Sequence, residues 1–223
     1  MSAYTQCFEY GDTEIDWLKS RDAVLGSAID EIGHISRMVT PDLFEALGHT
    51  IVGQQISAAA LVTVWARIKA RVDPFTPERI EALPMEELQQ CGISMRKAGY
   101  IKEAARAVIY GVLDLDALHE MADDEVSNRL VEIKGIGVWT AEMLMTFSMQ
   151  RPNILSWDDL AIHRGLRMLY RHRMITPALF AKYKRRYSPY GTVASLYLWA
   201  IAGGACPAMT DPGQRKIKKI RLN

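Results

Sequence analysis

The sequence predicts an all-α fold, and three observations carry that prediction. Apolar residues recur at intervals of three and four nearly throughout, segment ends carry helix-capping residues, and no alternating strand or Asn-Gly hairpin stands out. With 223 residues the chain can bury a full core, as one domain or as two lobes of about 100 residues each.

The elements follow in order. "DAVLGSAIDEIG" (residues 22–33) is the first periodic stretch, and "LFEALGHTIVGQQISAAALVTVWARIKARV" (43–72) the longest. "PERIEALP" and "MEELQQCG" read as short helices closed by Pro or Gly. "MRKAGYIKEAARAVIYG" begins after Ser94, a good N-cap, and ends at Gly111. "DDEVSNRLVEI" opens on an acid pair suited to the positive end of a helix dipole. Then come "VWTAEMLMTFSM", "DDLAIHRGLRMLYR", "TPALFAKYKRR" and "TVASLYLWAIAGG". No low-complexity linker or solenoid repeat divides the chain. The expected breaks are "RMVTPD" (37–42) and "QRPNILSW" (150–157), and a basic tail, "QRKIKKIRLN", follows "TDPG".

Composition narrows the function classes. Hydrophobic content is 49% and charged content 24%, ordinary for a globular protein. No apolar run is long enough to span a membrane, and the acidic opening "MSAYTQCFEYGDTEIDW" does not read as a secretory signal. Cys7, Cys91 and Cys206 are scattered and odd in number, so neither a disulfide framework nor a four-cysteine iron–sulfur cluster is expected, and a reducing cytoplasm is. The five histidines show no metal spacing, and no nucleophile elbow supports a Ser-His-Asp triad. Net charge is only +1, but residues 163–223 hold 13 Lys/Arg against the single acid Asp211, and the first 162 hold 14 bases and 25 acids. A +12 end on a −11 body is drawn to a polyanion such as nucleic acid, although a solvated basic face explains any one cluster alone.

The stretch "LVEIKGIGVWTAEMLM" (130–145) sets Gly135 and Gly137 two residues apart between two helical segments. Glycines there permit positive φ and close approach, and the helix start presents N–H groups to a phosphate. A Gly-x-Gly turn alone is also what tightly packed helices use. The fuller pattern, Leu130, Ile133, Gly135, Ile136, Gly137, Thr140, Ala141, resembles the helix–hairpin–helix DNA-binding element. Twenty residues after Trp139 comes Asp159, in "SWDDLAIHRG", past a loop holding Pro152. Hairpin, Pro-bearing loop and Asp in that order resemble the helix–hairpin–helix DNA glycosylase superfamily. Four motifs are similar to its 3-methyladenine DNA glycosylase II branch: "IVGQQIS" (51–57), "GIGVWTAEM", "WDDLAI" and "YSPYGTVASLYLW" (187–199).

That resemblance implies a monofunctional glycosylase of base-excision repair acting on flipped-out alkylated purines and leaving an abasic site. Lyase-type relatives carry a Schiff-base Lys where Trp139 stands. It implies Asp159 as the catalytic carboxylate, with Asp158 a helix cap or orienter; without the motif, both acids read simply as N-terminal residues of a helix. It implies a base pocket of Trp139, Met143, Leu160 and Trp199; Met143 and Leu160 stand where the branch can have aromatics. Gln54, Gln55, Gly135, Gly137, Val138 and Thr140 are implied to meet DNA, with Gln55 the wedge that fills the gap left by the flipped base and Gln54 holding backbone groups. No cofactor is required, but the carbonyls of Val131, Ile133 and Ile136 are implied to hold a sodium or potassium ion. An Arg common in the last motif is Gly191 here. The implied architecture is two helical lobes with a cleft between them: residues 40–150 as a central bundle, and residues 1–39 with 151–223 as the second, basic lobe. The expected partner of this single chain is damaged double-stranded DNA, with no membrane. Three other readings stay open: the same chemistry on hypoxanthine or uracil, a non-catalytic DNA-binding module, and a helical protein whose basic end binds acidic protein partners.

Overall fold

Residues 6–213 are described by the computed structural model; the basic tail, residues 214–223, lies outside them. Among the described residues the chain forms twelve α-helices: α1 (Asp12–Arg21), α2 (Ala23–Ile32), α3 (Leu43–Gly53), α4 (Ala58–Arg71), α5 (Pro77–Ala82), α6 (Met85–Gln90), α7 (Met95–Ile109), α8 (Asp123–Val131), α9 (Val138–Phe147), α10 (Leu160–Tyr170), α11 (Pro177–Tyr187) and α12 (Gly191–Ala202), with a 3-10 turn at Ala117–Glu120. The expected all-α class holds: β pairing among the described residues is one isolated bridge, Cys7 to Met38. No described helix is long and apolar enough to cross a membrane.

Two helical features depart from the sequence expectation. Helix α1 had no periodic signal to announce it, because its ten residues bury only Leu18. The long stretch 43–72 is two helices, since Gln54 to Ser57 leave helical geometry. Ser57 restarts the chain as an N-cap, its hydroxyl accepting the Ala60 amide at 3.2 Å, the usual way to satisfy an orphan donor.

The chain divides into two compact units. One comprises Met38–Arg151 with the segment ending at Phe8. Grouping that segment with the second lobe is thus corrected, because the Val39 amide donates to the Gln6 carbonyl at 2.9 Å beside the Cys7–Met38 bridge. Helix α3 packs on α4, α7 and α9, while α5 and α6 pack on α7 and α8 on α9. Leu47, Ile51, Ile68, Ile80, Leu88 and Ile101 are fully buried here, each stabilising the unit by roughly 1.5–3 kcal/mol. Lys102, itself buried, donates to the carbonyls of Glu81 and Leu83 at 2.7 Å each and closes the end of α5, where the helix dipole is negative.

The second unit holds Glu9–Arg37 and the residues from Pro152 on. Helices α10 and α12 make its most extensive contact, and Gly165 is why they come so close. A Cβ on Gly165 would lie 2.4 Å from the Leu198 carbonyl oxygen, so Gly165→Ala is expected to destabilise the unit by at least ~2 kcal/mol, measured by urea unfolding. Around the far end of α10, Asp22 caps α2 and also accepts the Tyr170 hydroxyl at 2.6 Å and Arg186 Nη1 at 2.5 Å. Tyr170 and Tyr187 lie oxygen to oxygen at 2.6 Å. Because Tyr170 gives its one hydrogen to Asp22, Tyr187 must be the donor to Tyr170. Burial first, then neighbouring charge, pushes the Tyr170 hydroxyl far above the usual phenol range.

Candidate functional site

In the first unit, the stretch between α8 and α9 folds as a tight hairpin. The Ile133 amide donates to the Leu130 carbonyl at 3.1 Å, and the Ile136 amide to the Ile133 carbonyl at 3.0 Å. The two glycines do different things. Gly135 has φ of +93°, and a Cβ there would lie 2.2 Å from Cγ of Tyr100, so turn geometry and close approach both demand glycine. Gly137 has φ of −99° and ψ of 174° as N-cap of α9, ordinary extended backbone, and a Cβ added to it would meet nothing within 4 Å. Of the two, only Gly135 uses the positive φ that glycine permits; the small size of Gly137 leaves space in front of the α9 N-terminus.

Gln54, Gly135 and Thr140 come together. Gln54 Nε2 donates to the Gly135 carbonyl at 3.1 Å and to Thr140 Oγ1 at 3.3 Å. Gln54 is half-buried and bonded, whereas Gln55 is exposed with φ of +58°. The implied role of Gln54 in holding backbone groups matches its bond to the Gly135 carbonyl. Sequence reasoning missed Lys97, whose Nζ donates to the carbonyls of Val52 at 2.8 Å and Gln54 at 2.5 Å. Burial, then Arg96, pulls the Lys97 ammonium below its usual range. No local pattern reveals these bonds, which span 43 and 45 residues.

Helix α9 carries Trp139, half-buried, and one turn later Met143, buried. Val138 is 47% exposed at its start. The other two pocket candidates belong to the second unit: Trp199, half-buried on α12, and Leu160, 85% exposed in the first position of α10.

Asp159 sits at the N-cap of α10 and is buried. Its Oδ1 accepts the amides of Ala161 at 2.8 Å and Ile162 at 3.0 Å. The helix cap is thus Asp159 and not its exposed neighbour Asp158, which corrects the assignment of that role. The following turn holds the approach loop in place. His163 lies four residues on, its amide donating to the Asp159 carbonyl at 3.1 Å. Its Nε2 lies 2.7 Å from the Trp157 carbonyl oxygen; a carbonyl only accepts, so Nε2 carries the hydrogen. The His163 ring stacks on Phe180, with centroids 5.7 Å apart, and Trp157 meets both rings edge-on. His163 therefore has a structural role that spacing alone did not reveal.

The departure at Gly191 has a local account. The Gly191 amide donates to Asn153 Oδ1 at 3.3 Å, and a Cβ at this position would stand 3.0 Å from the same oxygen. Asn153 thus occupies the place that a side chain on residue 191 would need. Among the described residues no cluster of three or more His, Cys, Asp or Glu side chains is arranged to hold a metal ion.

Comparison with known proteins places these features in context. Residues 49–188 match the family model described as HhH-GPD superfamily base excision DNA repair protein. The chain is similar to DNA-3-methyladenine glycosylase 1 of Schizosaccharomyces pombe, 34% identical over 161 residues that cover 70% of this chain and 71% of that one. It is similar in structure to a DNA-3-methyladenine glycosidase from Bacillus halodurans, with a TM-score of 0.80 and 32% identity over 92% of this chain and 96% of the other. A Schizosaccharomyces pombe 3-methyladenine DNA glycosylase in complex with abasic DNA gives a TM-score of 0.79 at 29% identity, covering 86% of this chain and 97% of that one.

Proposed function

The chain belongs to the HhH-GPD superfamily of base excision DNA repair proteins, and from that premise we infer that it is a monofunctional DNA glycosylase releasing alkylated purines from double-stranded DNA. The observation that carries the chemistry is the buried Asp159 carboxylate, aimed by two amides at the N-terminus of α10. Breaking the bond between C1′ and the purine nitrogen leaves the electron pair on the base and positive charge on the sugar. A fixed carboxylate stabilises that charge, water adds at C1′ and loses a proton, and an abasic site remains. A purine alkylated at N3 or N7 carries positive charge and departs neutral, so the leaving group needs little help. Trp139 stands where lyase-type relatives have lysine, so no amine is offered there to form a Schiff base.

An aromatic face such as that of Trp139 on α9 would favour such a cationic ring by roughly 0.5–2 kcal/mol. Gln55 enters the stack as the flipped nucleotide leaves it, and the amides around Gly137, Val138 and Thr140 take a backbone phosphate at the start of α9. The carbonyls of Val131, Ile133 and Ile136 would hold a sodium or potassium ion. The donor set is neutral oxygen, which suits a hard, singly charged ion, although the Ile133 carbonyl already accepts the Ile136 amide. Such an ion would add positive charge beside the phosphate. A single chain suffices for the whole reaction.

The two hairpin glycines separate binding from folding. Gly137→Ala is expected to lower stability by only about 0.5–1 kcal/mol but to weaken binding to duplex DNA several-fold. Gly135→Ala, strained and in collision with Tyr100, is expected to lower stability by more than ~2 kcal/mol. Chemical denaturation and fluorescence anisotropy on the same preparations check both.

Activity is tested on a duplex carrying one 7-methylguanine. Free 7-methylguanine should be released and an intact strand bearing an aldehyde-reactive abasic site should remain, and borohydride should trap no covalent adduct. Cleavage without alkali, or a trapped adduct, would contradict monofunctional action.

A further inference from the structure

The turn that displays Gln55 is of an unfavourable kind. Gly53 to Ile56 form a type II turn, with the Ile56 amide 3.4 Å from the Gly53 carbonyl oxygen, Gln54 at φ −55° and ψ 127°, and Gln55 at φ +58°. The third position of such a turn favours glycine or asparagine. Rotation of the peptide between Gln54 and Gln55 would convert it to a type I turn, which any residue tolerates, and would re-aim the Gln55 side chain. The Gln54 carbonyl is the handle of that peptide, and Lys97 Nζ grips it at 2.5 Å while also bonding the Val52 carbonyl at 2.8 Å. A rotated peptide would carry that carbonyl away from the ammonium.

The same helix supports the hairpin. Tyr100, three residues after Lys97 on α7, lies against Gly135, whose carbonyl accepts the Gln54 side chain. Turn and hairpin are therefore joined twice, through Gln54 directly and through α7 beneath both.

We propose that Lys97 is a positioning residue for base flipping: its ammonium locks the Gln54–Gln55 peptide in the orientation from which Gln55 enters the DNA stack, and α7 keeps that turn in register with the hairpin. This rests on the reading of Gln55 as the wedge. The half-buried ammonium meets carbonyl oxygens of the last turn of α3 and of its cap, the end of a helix where a cation is favoured.

A positioning role makes a substrate-dependent prediction, because opening a paired base requires the wedge more than opening an unpaired one does. Single-turnover release of 7-methylguanine is measured from a paired site and from a single-nucleotide bulge. Lys97→Met should slow release from the paired site roughly tenfold, the scale of one charge-assisted hydrogen bond, and leave the bulge within about twofold. Lys97→Arg, which keeps the charge and donors, should recover most of the loss. Gln55→Ala should show the same selective defect, and Lys97→Met with Gln55→Ala should be no slower than Gln55→Ala alone, since one residue acts through the other.

Equal slowing on both substrates, or defects that multiply in the double variant, would overturn the proposal. Wild-type rates for Lys97→Met, with Gln55→Ala selectively slow, would remove Lys97 and keep the wedge. Wild-type rates for Gln55→Ala would remove the wedge itself and the proposal with it. Thermal melting checks folding, and if Lys97→Met does not fold, Lys97→Gln is read in its place against the same outcomes.

Discussion

Asp159→Asn should reduce base release by about 10²-fold or more under single-turnover conditions while melting within about 2 °C of wild type. The two halves of this expectation come from different parts of one side chain. As N-cap of α10, Asp159 accepts two amides through Oδ1, and asparagine is as good an N-cap as aspartate. What asparagine lacks is the negative charge that stabilises the sugar in the transition state. Asp159→Ala removes both, so it should be equally inactive and also less stable by about 1 kcal/mol. Asp158→Asn should leave both properties nearly unchanged, since Asp158 is exposed and the cap is already filled. The three variants, compared by melting and by rate, separate chemistry from capping at a single position.

The largest effect on stability is expected at Asp22, far from that carboxylate in sequence but in the same unit. Its side chain is 2% exposed and holds two α2 amides, the Tyr170 hydroxyl and Arg186. Asp22→Ala uncaps α2, leaves Arg186 without its carboxylate and leaves Tyr170 without an acceptor, a loss of about 3–5 kcal/mol. The pH dependence follows from the same contacts. Burial pushes the Asp22 carboxyl upward, but hydrogen bonds from Tyr170, the Leu25 amide and Arg186 outweigh it, and the net direction is below the ordinary 3.8. A depressed carboxylate contributes stability that is present above the unfolded value and lost as pH falls through the folded one. The gap between wild type and Asp22→Ala in urea midpoints should be constant above about pH 5 and shrink below about pH 4. Asp211 shifts the same way, through its bond from Arg167 against the opposing effect of burial, so wild type itself should lose stability in that acidic range.

Much of this molecule is legible in its sequence. Three- and four-residue periodicity gave the all-α class because most helices bury one face, and α1 escaped for the converse reason, with Leu18 its one buried residue. The hairpin is legible because a turn of that kind depends on local sequence and needs its glycine, whereas the catalytic reading of Asp159 comes from the family resemblance alone. Roles within a motif were less legible. Nothing in "WDD" says which Asp caps α10, and nothing in "GQQIS" says that one Gln is tied down while the next is exposed at positive φ. Least legible were the supports. Lys97 under the Gln54 turn, Asn153 at Gly191 and Tyr170 on Asp22 act across 38 to 148 residues of chain, and only the folded backbone brings them together.

The central claim, enzymatic release of alkylated purines, is tested most directly by chromatography of free bases after incubating the wild-type protein with methylated duplex DNA, beside duplexes carrying hypoxanthine or uracil. Release of 3-methyladenine and 7-methylguanine in excess of the spontaneous rate is the predicted result. Failure of a folded, DNA-binding preparation to release either base would contradict it, and release of hypoxanthine or uracil alone would keep the reaction while reassigning its substrate.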